Sequence, residues 1–460
     1  MHVPITRSES SSATAKTSPL VFRGAVVAGI GGLLFGFDTA VISGAEKALE
    51  SLFNLNPFWL GFTVATALIG TILGSVIIER PADSWGRKKT LFLLAVLYFV
   101  SSVGCAIAPN WLTLVVSRFI GGIAIGGASV VAPMYIAEIS PAHLRGRLVA
   151  VNQLNVVVGI LLSFISNYLV AQFLPGPDAW RWMLGIVAIP SVAFFFLLFG
   201  IAESPRWLVK VGRTKEAAET LEKLGHADVE AKVRDIQNSL SGDLQLDRLF
   251  QSKYMWPVFL AFAIAMFNQL SGINALMYYA PRIFEMAGAA QGSALLQSIA
   301  VGGTNLVFTI LGMALIDFVG RRKLIIWGSF GYIASLGTVA WAFYSYGGHF
   351  TGYGGVIVLV SLLAFQASHA FSQGAVIWVF ISEIFPNAVR AKGQAFGSFT
   401  HWTMAAAISW TFPIVAERAG WLPFAFFAVM MFVQLLFALK LMPETKGHSL
   451  ESLGGEGSKI

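Results

Sequence analysis

Long runs of Leu, Val, Phe, Ala and Gly, separated by short charged stretches, constrain this chain more than any other feature. The runs near 91–108, 184–201, 256–267, 355–367 and 421–441 are almost free of charge. Several reach the roughly 20 residues that carry a helix across a hydrocarbon layer. Charged residues are 12% of the chain, against about 25% in soluble domains. A soluble protein of 460 residues with so few charges could not wet its surface. Glycine recurs inside the apolar runs, as suits bilayer helices that pack through small residues. The chain reads as an all-α membrane protein.

Twelve spans are expected, near 22–43, 58–79, 90–108, 112–138, 147–173, 181–201, 255–285, 292–317, 323–346, 353–383, 393–416 and 420–441. An even number leaves both termini on one side of the membrane. The loops 80–89, 139–147, 204–253, 318–323 and 384–392 hold nearly all the Lys and Arg, whereas 174–179 and 345–353 hold almost none. By the positive-inside rule both termini are cytoplasmic in a multi-pass protein of the cell membrane. The net charge of +7 therefore marks loops at an anionic leaflet, and a nucleic-acid partner is excluded. The expected division is a tail over 1–21, a six-helix bundle over 22–203, an intracellular helical linker over 204–253, a second bundle over 254–442 and a tail over 443–460. In the linker Ala218, Leu221, Leu224, Val229, Val233, Ile236 and Leu240 recur at helical spacing, which predicts short amphipathic helices. The first 19 residues lack a signal-peptide pattern. Cys105, the single cysteine, is expected to be a small buried hydrophobe.

The chain repeats itself. Asp83-Ser-Trp-Gly-Arg87-Lys-Lys follows the second span, and Asp317-Phe-Val-Gly-Arg321-Arg-Lys follows the eighth. Glu138-Ile-Ser-Pro-Ala-His-Leu-Arg145 follows the fourth, and Glu383-Ile-Phe-Pro-Asn-Ala-Val-Arg390 the tenth. Two motif pairs in register identify two similar halves, the signature of a carrier with its solute site between them. The acidic members are not required by the positive-inside rule. Asp83, Arg87, Glu138, Arg145, Arg147, Asp317, Arg321, Glu383 and Arg390 are thus candidate gate residues, pairing between neighbouring helices or across the halves; pure topology signalling is the other reading.

Polar side chains inside apolar helices are the candidate solute site, because a hydroxyl leaving water needs replacement hydrogen bonds. Gln153, Asn268, Gln269, Asn274, Asn305 and His401 qualify, and Trp378 and Trp402 offer flat apolar walls. The alternative for each polar group is an interhelical hydrogen bond without solute. Asp38 and Arg118 each lie within a span, where an isolated charge is expensive, so they are expected to pair. Burial favours the protonated acid and the guanidinium favours the carboxylate, which suits a group that loads and releases a proton. A static ion pair is the alternative.

These motifs, with Gly36-Phe-Asp-Thr-Ala-Val-Ile-Ser-Gly44, Glu203-Ser-Pro-Arg-Trp-Leu208, Gln269-Leu-Ser-Gly-Ile-Asn274 and Pro443-Glu-Thr-Lys-Gly447, resemble the sugar porter family of the major facilitator superfamily, and its bacterial proton–xylose symporters in particular. The resemblance spans about residues 22–450. It implies that Gln153, Gln269, Asn274, Tyr278, Asn305, Trp378 and Trp402 match sugar-contacting positions. It also implies that Asp38 stands where proton symporters carry Asp and facilitators Asn, with Arg118 as its partner. Glu203 reads equally as an aid to that proton site or as a gate element. Two departures stand out: Asn268 where the family often has Gln, and His401 where relatives carry Gln or Asn.

The expected activity is proton-coupled symport of a monosaccharide, hexose or pentose, by alternating access, in a monomer without metal or cofactor. A uniporter of the same fold is the nearest alternative. A membrane sugar sensor fits less well, because long signalling tails are not seen. An enzyme fits least, since no nucleophile–base arrangement is visible.

Overall fold

A computed structural model of the chain describes residues 18–226, 228–241, 247–347 and 349–446; most of both expected tails lies outside them. Twelve spans run in two sets of six. The first set is Pro19–Leu52, Pro57–Ile77, Arg87–Ala106, Trp111–Ile139, Ala142–Phe173 and a sixth made of Ala179–Gly185 and Ala188–Leu197. The second is Met255–Leu270 continued by Ile273–Met286, then Gln291–Val319, Arg321–Tyr346, Gly354–Phe371 continued by Gln373–Glu383, Arg390–Arg418 and Leu422–Lys440.

Local chemistry sets several starts. Ser18, Asn56 and Asn110 cap the first, second and fourth spans by accepting from Leu20, Trp59 and Thr113 amides, and Pro19 and Pro57 occupy first-turn positions where no N–H is needed. Eleven spans are long and apolar enough to cross a membrane. The exception is the eleventh, Arg390–Arg418, which carries Arg390, Lys392, His401 and Glu417. It packs against the second and seventh spans and turns His401 toward the interior, while Lys392, Glu417 and Arg418 near its ends are exposed.

The duplication is visible in the packing. In the first set the first span packs on the fifth, the second on the fourth and the third on the fourth; in the second set the seventh packs on the eleventh, the eighth on the tenth and the ninth on the tenth. The halves meet through the second span on the eleventh, the fifth on the eighth and the first on the far part of the seventh. At Gly36 a Cβ would stand 1.8 Å from the Val156 carbonyl oxygen, so the first and fifth spans touch backbone to backbone. Any larger residue there forces them apart.

Three spans are broken, which hydropathy alone does not show. The seventh breaks at Gly272, whose φ of 85° is left-handed and whose Cβ would strike the Phe427 ring at 2.4 Å. Both constraints demand glycine. The tenth breaks at Ser372, and the sixth between Gly185 and Ala188. The first span runs to Leu52 rather than ending near residue 43, which places Glu46, Lys47 and Glu50 on a helix instead of in a loop.

The linker forms three helices, Pro205–Lys210, Thr214–Lys223 and Val229–Ser241. Trp207, Leu208, Val209, Ala217, Leu221 and Val233 make its small core, with Ala218, Val229 and Ile236 against it. Two members of the expected stripe fall elsewhere: Leu224 joins the main core, and Leu240 is exposed because it sits at the free end of its helix. The linker clasps the first half, Trp207 Nε1 donating to the Asp83 carbonyl at 2.8 Å and Lys210 pairing with the Asp83 carboxylate at 3.0 Å.

Candidate functional site: a polar cavity between the halves

A cavity of about 160 Å³ lies between the two sets of spans. Its walls include Gln153 from the first half and Asn268, Gln269, Asn274, Tyr278, Asn305, Trp378, His401 and Trp402 from the second. Phe35, Thr39, Thr309, Gln366 and His369 complete much of the lining. The breaks at Gly272 and Ser372 fall beside it, in keeping with the rule that irregular backbone at membrane depth is tolerated where it lines a cavity.

The second half supplies a directional chain of amides. Asn274 Nδ2 donates to Gln269 Oε1 at 2.8 Å, and Gln269 Nε2 donates to Asn268 Oδ1 at 2.9 Å. Asn268 Nδ2 donates to Gln373 Oε1 at 3.3 Å, Gln373 donates to Gln434, and Gln434 Nε2 donates to Ser329 Oγ at 2.9 Å. Each amide is thereby held in one orientation. His401 sits at the wet end, its ring nitrogens 3.1 and 3.3 Å from Gln269 Nε2. Trp378 and Trp402 flank the imidazole at centroid distances of 5.0 and 4.8 Å, and Phe35 meets Trp402 edge-on at 5.5 Å. Together these groups present amide donors and acceptors beside flat apolar faces.

Asp38 and Arg118 lie behind this wall, within the first half. Arg118 Nη1 stands 3.5 Å from Asp38 Oδ2, with side chains 2% and 11% exposed respectively. The geometry is loose for an ion pair. Asp38 Oδ2 and Arg118 Nε and Nη2 have no hydrogen-bond partner, although all three are buried. Tyr98 OH, also buried and unpartnered, completes an under-satisfied polar pocket. Buried charges left this incomplete are costly, which singles the pair out from the tight networks at the linker end.

Arg87 is bracketed by Glu138, with Nε and Nη2 each 2.9 Å from a carboxylate oxygen, and by Asp83 at 3.3 Å. Arg321 is bracketed by Glu383 at 2.8 and 3.1 Å and by Asp317 at 3.1 Å. Each network closes within its own half, and neither crosses to the other. Glu203 accepts from the Arg87 and Lys88 amides, as Glu444 accepts from those of Arg321 and Arg322, each carboxylate capping a helix that starts after a glycine at φ 92° or 95°. Glu203 is thus held at the linker end rather than beside Asp38. Burial keeps its carboxyl above the ordinary carboxylate range, against the pull of the Ser204, Lys88 and Arg87 amides. Arg145 and Arg390 donate to the Ala137 and Phe385 carbonyls, and Arg147 is exposed.

Ion pairs between the halves occur at the opposite end. Arg282 of the seventh span meets Glu46 at 2.9 Å and also Glu50, both of the first span, while Lys47 meets Glu285 at 2.6 Å. Trp410 Nε1 donates to the Phe58 carbonyl there at 3.1 Å, within a cluster of Phe58, Trp59, Phe62, Trp111 and Trp410. The halves are clamped at this end, and among the described residues no ion pair joins them at the linker end.

Residues 24–455 match the family model described as "Sugar (and other) transporter". The D-xylose-proton symporter of Escherichia coli is 37% identical, over 96% of each chain. The arabinose-proton symporter of Bacillus subtilis is 35% identical over 98% of this chain and 97% of its own. The inward open conformation of the E. coli xylose transporter superposes with a TM-score of 0.83 at 36% identity, covering 94% of this chain and 99% of that one. With the twelve-helix, two-bundle fold and a polar cavity between the bundles, this places the chain in the sugar transporter family of the major facilitator superfamily.

Proposed function

We propose that this chain is a proton-coupled monosaccharide symporter that works by rocking its two bundles about the central cavity. The observation that carries the coupling is the Asp38–Arg118 pair, buried 3.5 Å apart with three polar atoms unsatisfied, one helix turn from cavity-lining residues. A static structural pair would be expected to complete its hydrogen bonds. This one is poised to change charge state. Protonating Asp38 frees Arg118, and Thr39 and Tyr278, which line the cavity close by, carry the change to the sugar site. A potential of about 100 mV supplies about 2.3 kcal/mol per proton, enough to concentrate a neutral sugar about 50-fold.

Gln153, Asn268, Gln269, Asn274, Asn305 and His401 replace the water around sugar hydroxyls, Tyr278 closes one wall, and Trp378 and Trp402 pack on its C–H faces. The relatives named for D-xylose and arabinose favour a pentose, with hexoses as competitors. The linker end is cytoplasmic, together with both termini, and the described state faces inward. Arg87–Glu138–Asp83 and Arg321–Glu383–Asp317 stiffen each half during rocking, with Arg145, Arg147 and Arg390 at the moving rim. The working unit is one chain in a lipid bilayer, divided at residues 22–203, 204–253 and 254–442.

The test is uptake of labelled xylose into proteoliposomes under an imposed proton gradient, with pentoses and hexoses as competitors. The parent chain accumulates sugar, whereas Asp38→Asn exchanges sugar across the membrane without accumulating it. Accumulation by Asp38→Asn would refute the coupling assignment. Sugar entry into a weakly buffered lumen without proton entry would make the chain a uniporter.

A further inference from the structure

The clamp at the end opposite the linker contains a group the mechanism above does not use. Glu46 is only 2% exposed. Its Oε1 accepts from Arg282 Nε at 2.9 Å, but its Oε2 is buried without any partner. Glu50 shares the same guanidinium, and Lys47 is taken up by Glu285. Three carboxylates therefore meet two cations, and of the three Glu46 alone is buried, the others reaching solvent in part. Among the described residues no further cation pairs with Glu46, Glu50 or Glu285. The fifth and eighth spans bring uncharged Asn167, Gln172, Gln291 and Leu295 to this end, Asp178 just before the sixth span is paired with Arg181 within it, and Tyr279 of the seventh donates to the Ser409 carbonyl. The fourth span's Arg118 faces Asp38.

We propose that Glu46 is a second proton-binding site, filled when the mouth between the first and seventh spans is shut and emptied when it opens. Closing the mouth brings Glu46 against Arg282, Glu50 and Glu285 and removes its water. Opening it returns the carboxylate to solvent. The buried Oε2 with no donor and the neighbouring Glu50 and Glu285 favour the neutral acid against the pull of the Arg282 guanidinium, and solvation in the open mouth removes that preference. Proton uptake at Glu46 and closure of the mouth are then linked, each favouring the other. Acid on that side pushes the carrier toward its inward-facing state, the direction an importer needs after loading. The idea rests on the symport reading for its purpose, but not for its measurement.

The measurement is thiol labelling of Ser43→Cys, buried beside this mouth, in a Cys105→Ala background without sugar. Labelling of that chain falls about tenfold from pH 8 to pH 5.5. Adding Glu46→Gln, a permanently neutral side chain, gives slow labelling at every pH. Adding Asp38→Asn leaves the pH dependence in place, which separates this site from the coupling pair. Arg282→Gln raises labelling at high pH, a control that the mouth can open. Labelling of the Glu46→Gln chain that titrates as its parent does, or a pH dependence that vanishes with Asp38→Asn instead, would overturn the proposal. Should Glu46→Gln fold poorly, Glu46→Asp, which keeps the acid, is expected to keep the titration, and its loss there would count equally against it.

Discussion

The two halves agree at the linker end and diverge at the centre. At the linker end Arg87, Glu138, Asp83 and Glu203 are matched by Arg321, Glu383, Asp317 and Glu444, in the same geometry to within a few tenths of an ångström. At the centre the first half holds an under-bonded ion pair and the second a neutral, well-bonded amide chain. Arg118 stands 20 residues before Glu138, and the residue 20 before Glu383 is Leu363. A duplicated scaffold has kept its frame and divided its chemistry, with charge on one side and sugar-like hydrogen bonding on the other.

The largest effect is expected when the first half is given the residue of the second. Arg118→Leu leaves Asp38 buried and alone, so accumulation is expected to fall from about 50-fold to none. Stability in detergent is expected to drop by about 3–5 kcal/mol, the usual cost of an orphaned buried charge. Asp38→Asn/Arg118→Leu should recover stability but not accumulation, since no titrating group remains. Accumulation in the double variant would show that the proton is carried elsewhere.

The matched networks at the linker end are expected to respond alike. Arg87→Ala and Arg321→Ala each strand a carboxylate pair and should each cost about 3 kcal/mol. The Arg321→Ala loss is expected to be the smaller, because Glu383 is 22% exposed and Glu138 10%. Thermal unfolding of both variants in one detergent measures this. Losses that differ by more than about twofold would mean that the linker, which binds Asp83 but among the described residues not Asp317, supports the first network in a way the second lacks.

How much of this could be read in the sequence differs by region. The spans were legible because hydrocarbon thickness dictates long apolar runs, and the repeat was legible because its motifs are charged and few. The cavity's polar residues were legible where they clustered, as in Asn268-Gln269. Gln366, His369, Gln373 and Gln434 were missed, although each is a polar residue within an apolar helix. Hydropathy that is uniform around a helix does not say which face meets protein and which meets lipid. The Glu46–Arg282 clamp was hidden for a different reason. Glu46, Lys47 and Glu50 follow the apolar part of the first span and look like loop charges, yet the helix continues to Leu52 and carries them onto the seventh span. The need for glycine at 272 comes in part from the Phe427 ring of the last span, a contact no local pattern contains.

The amide chain itself can be cut at its dry end. Gln434→Leu removes the acceptor for Gln373 and the donor to Ser329; the Gln373 amide nitrogen is left buried and unpaired at a cost of about 1–3 kcal/mol, while Ser329 keeps its bond to the Ile325 carbonyl. Because the loss lies far from the cavity, it should weaken sugar binding only through the freed orientation of Asn268, raising KM a few-fold with little change in maximal rate. An unchanged KM with reduced thermal stability would make the outer links of the chain purely structural.

The smallest expected effect lies at the wet end and concerns His401. Asn274 fixes the Gln269 carbonyl, so the Gln269 amide nitrogen must point at the imidazole, and the ring nitrogen facing it must accept. A protonated imidazole has no acceptor to offer. It would turn Gln269 around and set its NH2 against that of Asn274. Sugar binding is therefore expected to weaken in acid by a few-fold, over and above any effect of the driving proton. Equilibrium exchange at equal pH on both sides, where no gradient drives transport, isolates this term. In His401→Gln the acid limb of the exchange profile should flatten, because an amide can accept at any pH and keeps Gln269 in place. The preference between pentose and hexose should shift in the same variant, since Gln reaches differently between Trp378 and Trp402. If both the profile and the preference are unchanged, His401 serves only to pack the two tryptophans, and discrimination between sugars rests with the amides alone.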